Sequence, residues 1–314
     1  MYYPYFRGKQ YELIAVRETA QLLAKSKFIP IIEPVKKSLS PLKTCLDTVC
    51  KANGEAIVIV NPKHGDYKKD GEAIFQLLNR DYKEKNNISA GIYLTERNTI
   101  QDALKLYTDN INKNPSFIYD GFSEHKLLSD FIKLSSPSIK SIFFERKNSS
   151  RDIKYYDGTK RIIIGDGFEK RKNAEYLEIE REKFSDLHLT YKKSGMDGFG
   201  DFLTVGDGYS EKGGPAYAVA IHITFIDKDK GDVMYVYHFV SFTNDTSSDP
   251  GGKFSQALDE LIKKIERGRS HILETSAIIE FRRLHQEEHF PGLGYVKKLS
   301  MKHHIETLAD FFSS

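Results

Sequence analysis

Phe28-Ile-Pro-Ile-Ile-Glu-Pro-Val-Lys36 is the stretch whose reading decides the fold. Its apolar residues follow one another without alternation, the pattern of a strand buried on both faces in a parallel sheet. Pro34 lacks a backbone donor and ends the pairing, which leaves Glu33 and Lys36 at the strand's C-terminal end. In parallel α/β folds that end is where ligands bind.

Outward from this stretch the same unit recurs: an apolar run, a polar tip, an amphipathic segment. Strands are read at Tyr11–Arg17, Phe28–Glu33, Ala56–Val60, Ser89–Leu94, Ser116–Tyr119, Ile139–Phe144, Arg161–Ile164 and Asp201–Val205. Between them fall helices at Glu18–Lys25, Leu39–Ala52, Gly71–Tyr82, Thr99–Asp109, His125–Leu134 and Asn173–Phe184. Strand and helix alternating this often, without hairpins, favours a closed (β/α)8 TIM-barrel-like parallel barrel over an open doubly wound sheet. The rhythm then changes. Tyr217–Ile226 and Val233–Phe242 alternate and are joined by Asp227-Lys-Asp-Lys-Gly231, an antiparallel hairpin, and amphipathic helices follow at Phe254–Arg267, Ser276–Leu284 and His303–Phe312. The α/β reading is therefore a barrel core over residues 1–210, with residues 211–314 as a C-terminal hairpin and helical elaboration packed on it, since no linker composition separates them.

Bulk composition narrows the class of protein. The 314 residues are 39% hydrophobic and 29% charged with a formal net charge of +3, too little basicity to argue for nucleic acid. The pairs Lys263-Lys264 and Lys297-Lys298, which would carry a nucleic-acid reading, look like solvated faces. No apolar run approaches the ~20 residues of a membrane span, and the N-terminus lacks the apolar core of a signal peptide. Cys45 and Cys50 fit neither a redox pair nor a zinc ribbon; together these features lead to the expectation of a cytoplasmic protein.

The strand tips gather the candidate chemistry. Glu33, Glu145 and Asp166 are carboxylates suited to a hard cation such as Mg²⁺ or Mn²⁺, while Arg17, Lys36, Asn61, Lys63 and Arg146 could bind an anionic or phosphate-bearing ligand. With His64 moving a proton beside Glu33, the set describes a metal-assisted hydrolase or lyase acting on a phosphorylated or nucleotide-like substrate. The bland alternative is that polar residues solvate strand–loop junctions in every α/β protein. The same holds for Asp120-Gly121, Asp166-Gly167 and Asp207-Gly208, which turn chemistry alone explains. His285-Gln-Glu-Glu-His289 matches the H-x-x-E-H zinc pattern, but Phe290-Pro291-Gly292 ends its helix at once, and His303-His304-x-Glu306 places adjacent histidines about 100° apart. The loop from Gly206 to Pro215 is glycine-rich without being a P-loop. Lys140 and Lys160 sit at strand starts, the wrong end for a Schiff base.

Tyr5-Phe6-Arg7-Gly8-Lys9, Glu12-Leu13, Ala15, Pro30-Ile-Ile-Glu-Pro34 and the late Asp201 followed by the strand Ala218–Thr224 resemble the beta family proteins of phages, plasmids and bacterial genomic islands. That resemblance implies a barrel-like fold and a mobile-element or anti-phage defence setting, and it supplies no catalytic residues. On this reading the protein is the barrel scaffold of a defence or toxin–antitoxin-like module acting with a protein partner. The hairpin aromatics Tyr235, Tyr237 and Phe239 are the expected contact surface.

Overall fold

A computed structural model describes residues 1–135, 138–211, 214 and 216–313. In chain order the first elements are β1 (Tyr5–Phe6), α1 (Gln10–Ser26), β2 (Ile31–Ile32), α2 (Ser40–Lys51), β3 (Ala56–Ile59), α3 (Glu72–Asp81), β4 (Ile88–Thr95) and α4 (Ile100–Asp109). There follow β5 (Ser116–Asp120), α5 (His125–Ser135), β6 (Lys140–Phe144), α6 (Ser150–Lys154), β7 (Lys160–Gly165), β8 (Arg181–Ser185), α7 (Leu187–Thr190) and β9 (Gly198–Asp201). The remainder is β10 (Ala220–Asp227), β11 (Val233–Val240), α8 (Pro250–Glu266), α9 (Ser276–Gln286) and α10 (Leu293–Ser313). Two compact units result: Met1–Gly165 with Thr190–Asp201, and Asp166–Leu189 with Phe202–Ser314. The boundary read after residue 210 thus falls after Asp201, and the second unit takes Asp166–Leu189 from within the span assigned to the barrel.

The first unit is the parallel barrel. Its sheet runs β1-β2-β3-β4-β5-β6-β7-β9, and the parallel bridge Tyr2↔Phe199 brings the last strand back to the first. Helix and strand alternate as the sequence pattern requires, with Thr99 and Ser149 forming capping boxes on α4 and α6. Lys140 and Lys160 start their strands, as read.

The opening of the barrel departs from the sequence reading. Tyr11–Arg17 is not a strand but the first half of α1, where Glu12, Leu13, Ala15, Val16, Thr19, Ala20 and Leu23 form a buried stripe at helical spacing. The first strand is Tyr5–Phe6, which pairs Tyr5↔Ile31 and Phe6↔Ile32. The eighth barrel strand ends, rather than begins, at Asp201, and Leu203–Val205 is a 3₁₀ turn. The expected helix Asn173–Phe184 is a 3₁₀ segment, Asn173–Glu178, followed by β8. Two glycines fix the approach of neighbouring chains to the end of β2. Gly8 and Gly65 have φ of +61° and +75°, and a Cβ would lie 2.8 Å from the Glu33 carbonyl oxygen and 2.1 Å from that of Val35, respectively.

The second unit holds the antiparallel sheet β10-β11-β8 with α8, α9 and α10. Ile221, Ile223 and Phe225 share one sheet face with Phe239, Tyr237 and Tyr235 through the β10–β11 register. Leu258 and Leu261 of α8, Ile278 and Phe281 of α9, and Val296 and Leu299 of α10 belong to the same core. The expected contact surface is therefore corrected. Tyr237 and Phe239 are 2% and 6% exposed and Tyr235 is half-buried, because their face is the inner one of this unit. Of the glycine-rich loop, Gly213 and Pro215 lie outside the described residues.

Candidate functional site

At the C-terminal ends of the barrel strands, Glu33 is fully enclosed. Its carboxylate gathers three hydrogen-bond donors and the charge of Arg7. Tyr5 Oη donates to Oε2 at 2.9 Å and Arg7 Nε lies 3.2 Å from the same oxygen, while the His64 backbone N–H and ring Nδ1 reach Oε1 at 2.9 and 3.0 Å. Burial by itself pushes the Glu33 carboxyl up, but the hydrogen bonds from His64 and Tyr5 and the Arg7 charge outweigh it and hold it below the usual range. An ionised Glu33 accepts from Nδ1–H, which fixes the neutral tautomer of His64 with its lone pair on Nε2. The His64 side chain remains 22% exposed.

A second carboxylate is built beside it. Asp120, ending β5 and 4% exposed, accepts from Tyr93 Oη of β4 at 2.9 Å and pairs with Lys63 Nζ. Tyr5 and Tyr93 each meet the ring of Phe144 edge-on, at 5.5 and 5.8 Å, so three aromatics from β1, β4 and β6 form an apolar layer against these polar groups. Next to Lys63 and Tyr93 opens a cleft of about 470 Å³ whose cationic side chains are Lys63, Lys68, Lys69 and Arg97. Residues 63 and 64 thus sit on one loop after β3, each tied to a different buried carboxylate.

Several predicted roles move. Lys36 is exposed and makes no ion pair with Glu33 among the described residues; Arg7, just after the true first strand, takes that place. Arg17 is exposed in the middle of α1, not at a strand tip, because its segment is helical. Asn61 clamps β4, accepting from Tyr93 N and donating to Tyr93 O at 2.8 Å each, so its amide is used in holding strands together. Glu145 and Arg146 are exposed on the 3₁₀ turn after β6. Asp166 belongs to the second unit, where it accepts the N–H groups of Phe168 and Asp207 at 3.3 and 3.1 Å. Of the expected Mg²⁺ or Mn²⁺ set, Glu33 is enclosed among Tyr5, Arg7 and His64, Glu145 is exposed after β6, and Asp166 belongs to the second unit.

Tyr5, Arg7 and Tyr93 carry the site yet escaped sequence reasoning. The available signal was Arg7-Gly8 after the aromatic pair Tyr5-Phe6, an apolar run with a polar tip too short to register as a strand.

In the second unit, α9 ends at Gln286, and Glu288 adopts φ +47°, so His289 leaves the helical face that an H-x-x-E-H zinc site needs. His285 pairs instead with Asp259 at 3.0 Å, beside a cleft of about 540 Å³. His303 and His304 are structural: they bond Thr275 Oγ1 and Thr224 Oγ1 at 2.8 and 3.0 Å. Among the described residues no helix is long and apolar enough to cross a membrane. Comparison with protein-family models and with curated proteins finds no match.

Proposed function

We propose that the strand-tip end of the barrel binds an anionic, phosphate-bearing small molecule and performs acid–base chemistry on it, in the class of a hydrolase or lyase. The observation that carries this reading is the pair of adjacent residues Lys63 and His64, each fixed by its own buried carboxylate at the same strand ends. Lys63, with Lys68, Lys69 and Arg97 in the adjoining cleft, neutralises the ligand's oxygens. His64 takes a proton at Nε2, and Glu33 stabilises the imidazolium that forms without itself being protonated. The partner-dependent defence role draws no support from the hairpin aromatics, which are packed inside the second unit.

Calorimetric titration with inorganic phosphate and with a nucleoside monophosphate tests the binding half. Binding by the unaltered protein, weakened about tenfold or more in Lys63→Ala and little changed in His64→Gln, is the expected result. Equal affinity in the unaltered protein and Lys63→Ala, or no binding at millimolar ligand, overturns it.

A further inference from the structure

The second unit brings together a donor set that the barrel site does not use. Asp227 is the last residue of β10 and is 2% exposed. Asp229 lies in the 3₁₀ turn that follows, and His271 comes from the segment between α8 and α9. His271 Nε2 lies 3.2 Å from Asp229 Oδ2 and 3.8 Å from Asp227 Oδ1, and one ligand atom from each residue falls within 4.8 Å of the other two. Ligands bound at 2.0–2.2 Å around one ion are themselves separated by roughly 3.0–3.5 Å in tetrahedral or octahedral arrangement. The His271–Asp229 separation lies in that range and the His271–Asp227 separation a few tenths of an ångström above it, so the three side chains need only draw together to share one ion.

We propose that Asp227, Asp229 and His271 bind one divalent transition-metal ion, of which Zn²⁺ is the best match. Two carboxylates and an imidazole suit a borderline cation, whereas Mg²⁺ and Ca²⁺ take oxygen donors. The surroundings orient the ligands. Asp229 N–H donates to Asp227 Oδ1 at 3.1 Å, Arg181 Nη1 stands 3.5 Å from the other oxygen, Oδ2, and the His271 ring lies nearly parallel to Phe225, at 18° and 6.3 Å. The competing account is a plain ion pair between protonated His271 and Asp229, which needs no metal.

The full-length chain, stripped with a chelator and titrated with Zn²⁺ and with Co²⁺ followed by its visible absorption, separates the two. One equivalent should bind at this site, with a rise in melting temperature. His271→Ala should lose that equivalent and that rise, and Asp229→Asn, at an exposed position that leaves the fold intact, should weaken binding about tenfold or more. His285→Ala and His289→Ala, in the cleft lined by the start of α8 and the end of α9, should keep it. Unchanged stoichiometry and affinity in both His271→Ala and Asp229→Asn, or loss of the equivalent only in the His285 or His289 variants, overturns the proposal.

Discussion

His64 in the barrel unit and His303 on α10 are both held by defined hydrogen bonds, but their surroundings differ. His64 is partly exposed and faces the ionised Glu33. His303 is fully buried, with Nε2 2.8 Å from the Thr224 carbonyl oxygen and Nδ1 2.8 Å from Thr275 Oγ1. A carbonyl can only accept, so His303 carries its proton on Nε2, and Thr275 donates to Nδ1 while its oxygen accepts Ile278 N–H as the cap of α9. A carboxylate welcomes an imidazolium; a hydroxyl already donating does not. The comparison teaches that a histidine's usefulness as a proton carrier is decided by the group facing it, and of these two only His64 faces a carboxylate.

The largest expected effect comes from removing that charge. Glu33→Leu leaves Arg7 buried at 6% exposure without the carboxylate that it faces, so global stability should fall by about 3–5 kcal/mol in denaturant unfolding. A double-mutant cycle with Arg7→Leu sharpens this, since replacing both charged groups should cost much less than the sum of the single changes. Additive losses would mean that the two residues act independently, and the electrostatic account of the site would fail.

Next in size is the acid window set by His303. Burial, chiefly, pushes its pKa from 6.5 to about 4, with the neighbouring His304 acting in the same sense and the Thr224 carbonyl opposing. The folded pKa is below the unfolded one, so the unfolded chain binds the proton first as pH falls. The stabilising contribution of neutral His303 is complete above about pH 6.5 and is lost progressively down to about 4. At ~1.4 kcal/mol per pKa unit this amounts to ~3 kcal/mol across the window. His238, pushed to about 4 mainly by burial, adds to the same slope. Denaturant melts at pH 7, 5.5 and 4.5 should show the fall, and His303→Gln should flatten it; an equally steep slope in the variant would remove His303 as its source.

What was legible in the sequence follows the length of each signal. The runs Ala56–Ile59, Ile88–Thr95 and Lys140–Phe144 are long enough for non-alternating hydrophobicity to be unambiguous, and the barrel follows from them. β1 has two residues, too few for any period to show; β2 is as short but lies inside the apolar run Phe28–Ile32, which marks it, while Tyr11–Arg17 is a buried helical stripe whose apolar residues happen to cluster like a strand. Glu33, Lys63 and His64 were readable because Pro34 and Pro62 mark where their strands stop. Arg7 was missed as the partner of Glu33, because pairing between strand tips depends on register, and register depended on the strand that was not seen. The hairpin alternation was read correctly, but alternation alone does not say which face is covered.

The smallest expected effect tests the barrel site through its other buried carboxyl. Glu12, on the first turn of α1, accepts the Arg7 backbone N–H and is 7% exposed. Burial, first, and then the charge of Glu33 push its pKa up to about 7, against the pull of Lys9 and Arg7. Two buried carboxyls that both feel Arg7 thus lie on opposite sides of the ordinary range: Glu33, with three hydrogen-bond donors and the Arg7 ion pair, is held down, and Glu12, with the Arg7 N–H, is left high. The folded state holds the Glu12 proton between its unfolded value, about 4.3, and about 7, so stability falls as pH rises through that interval and is level above it. Glu12→Gln imitates the protonated acid and keeps an acceptor for the Arg7 N–H. Allowing for an amide NH₂ that must find its own partner, the substitution should raise stability by about 2 kcal/mol at pH 8 and by almost nothing at pH 4.5. A Glu12→Gln protein no more stable than the parent at pH 8 would show that Glu12 is charged at no cost, and the contrast between the two carboxyls would disappear. Combining it with Glu33→Gln sharpens the test: with the Glu33 charge gone, Glu12 ionises more easily, so the gain from Glu12→Gln at pH 8 should shrink in that background.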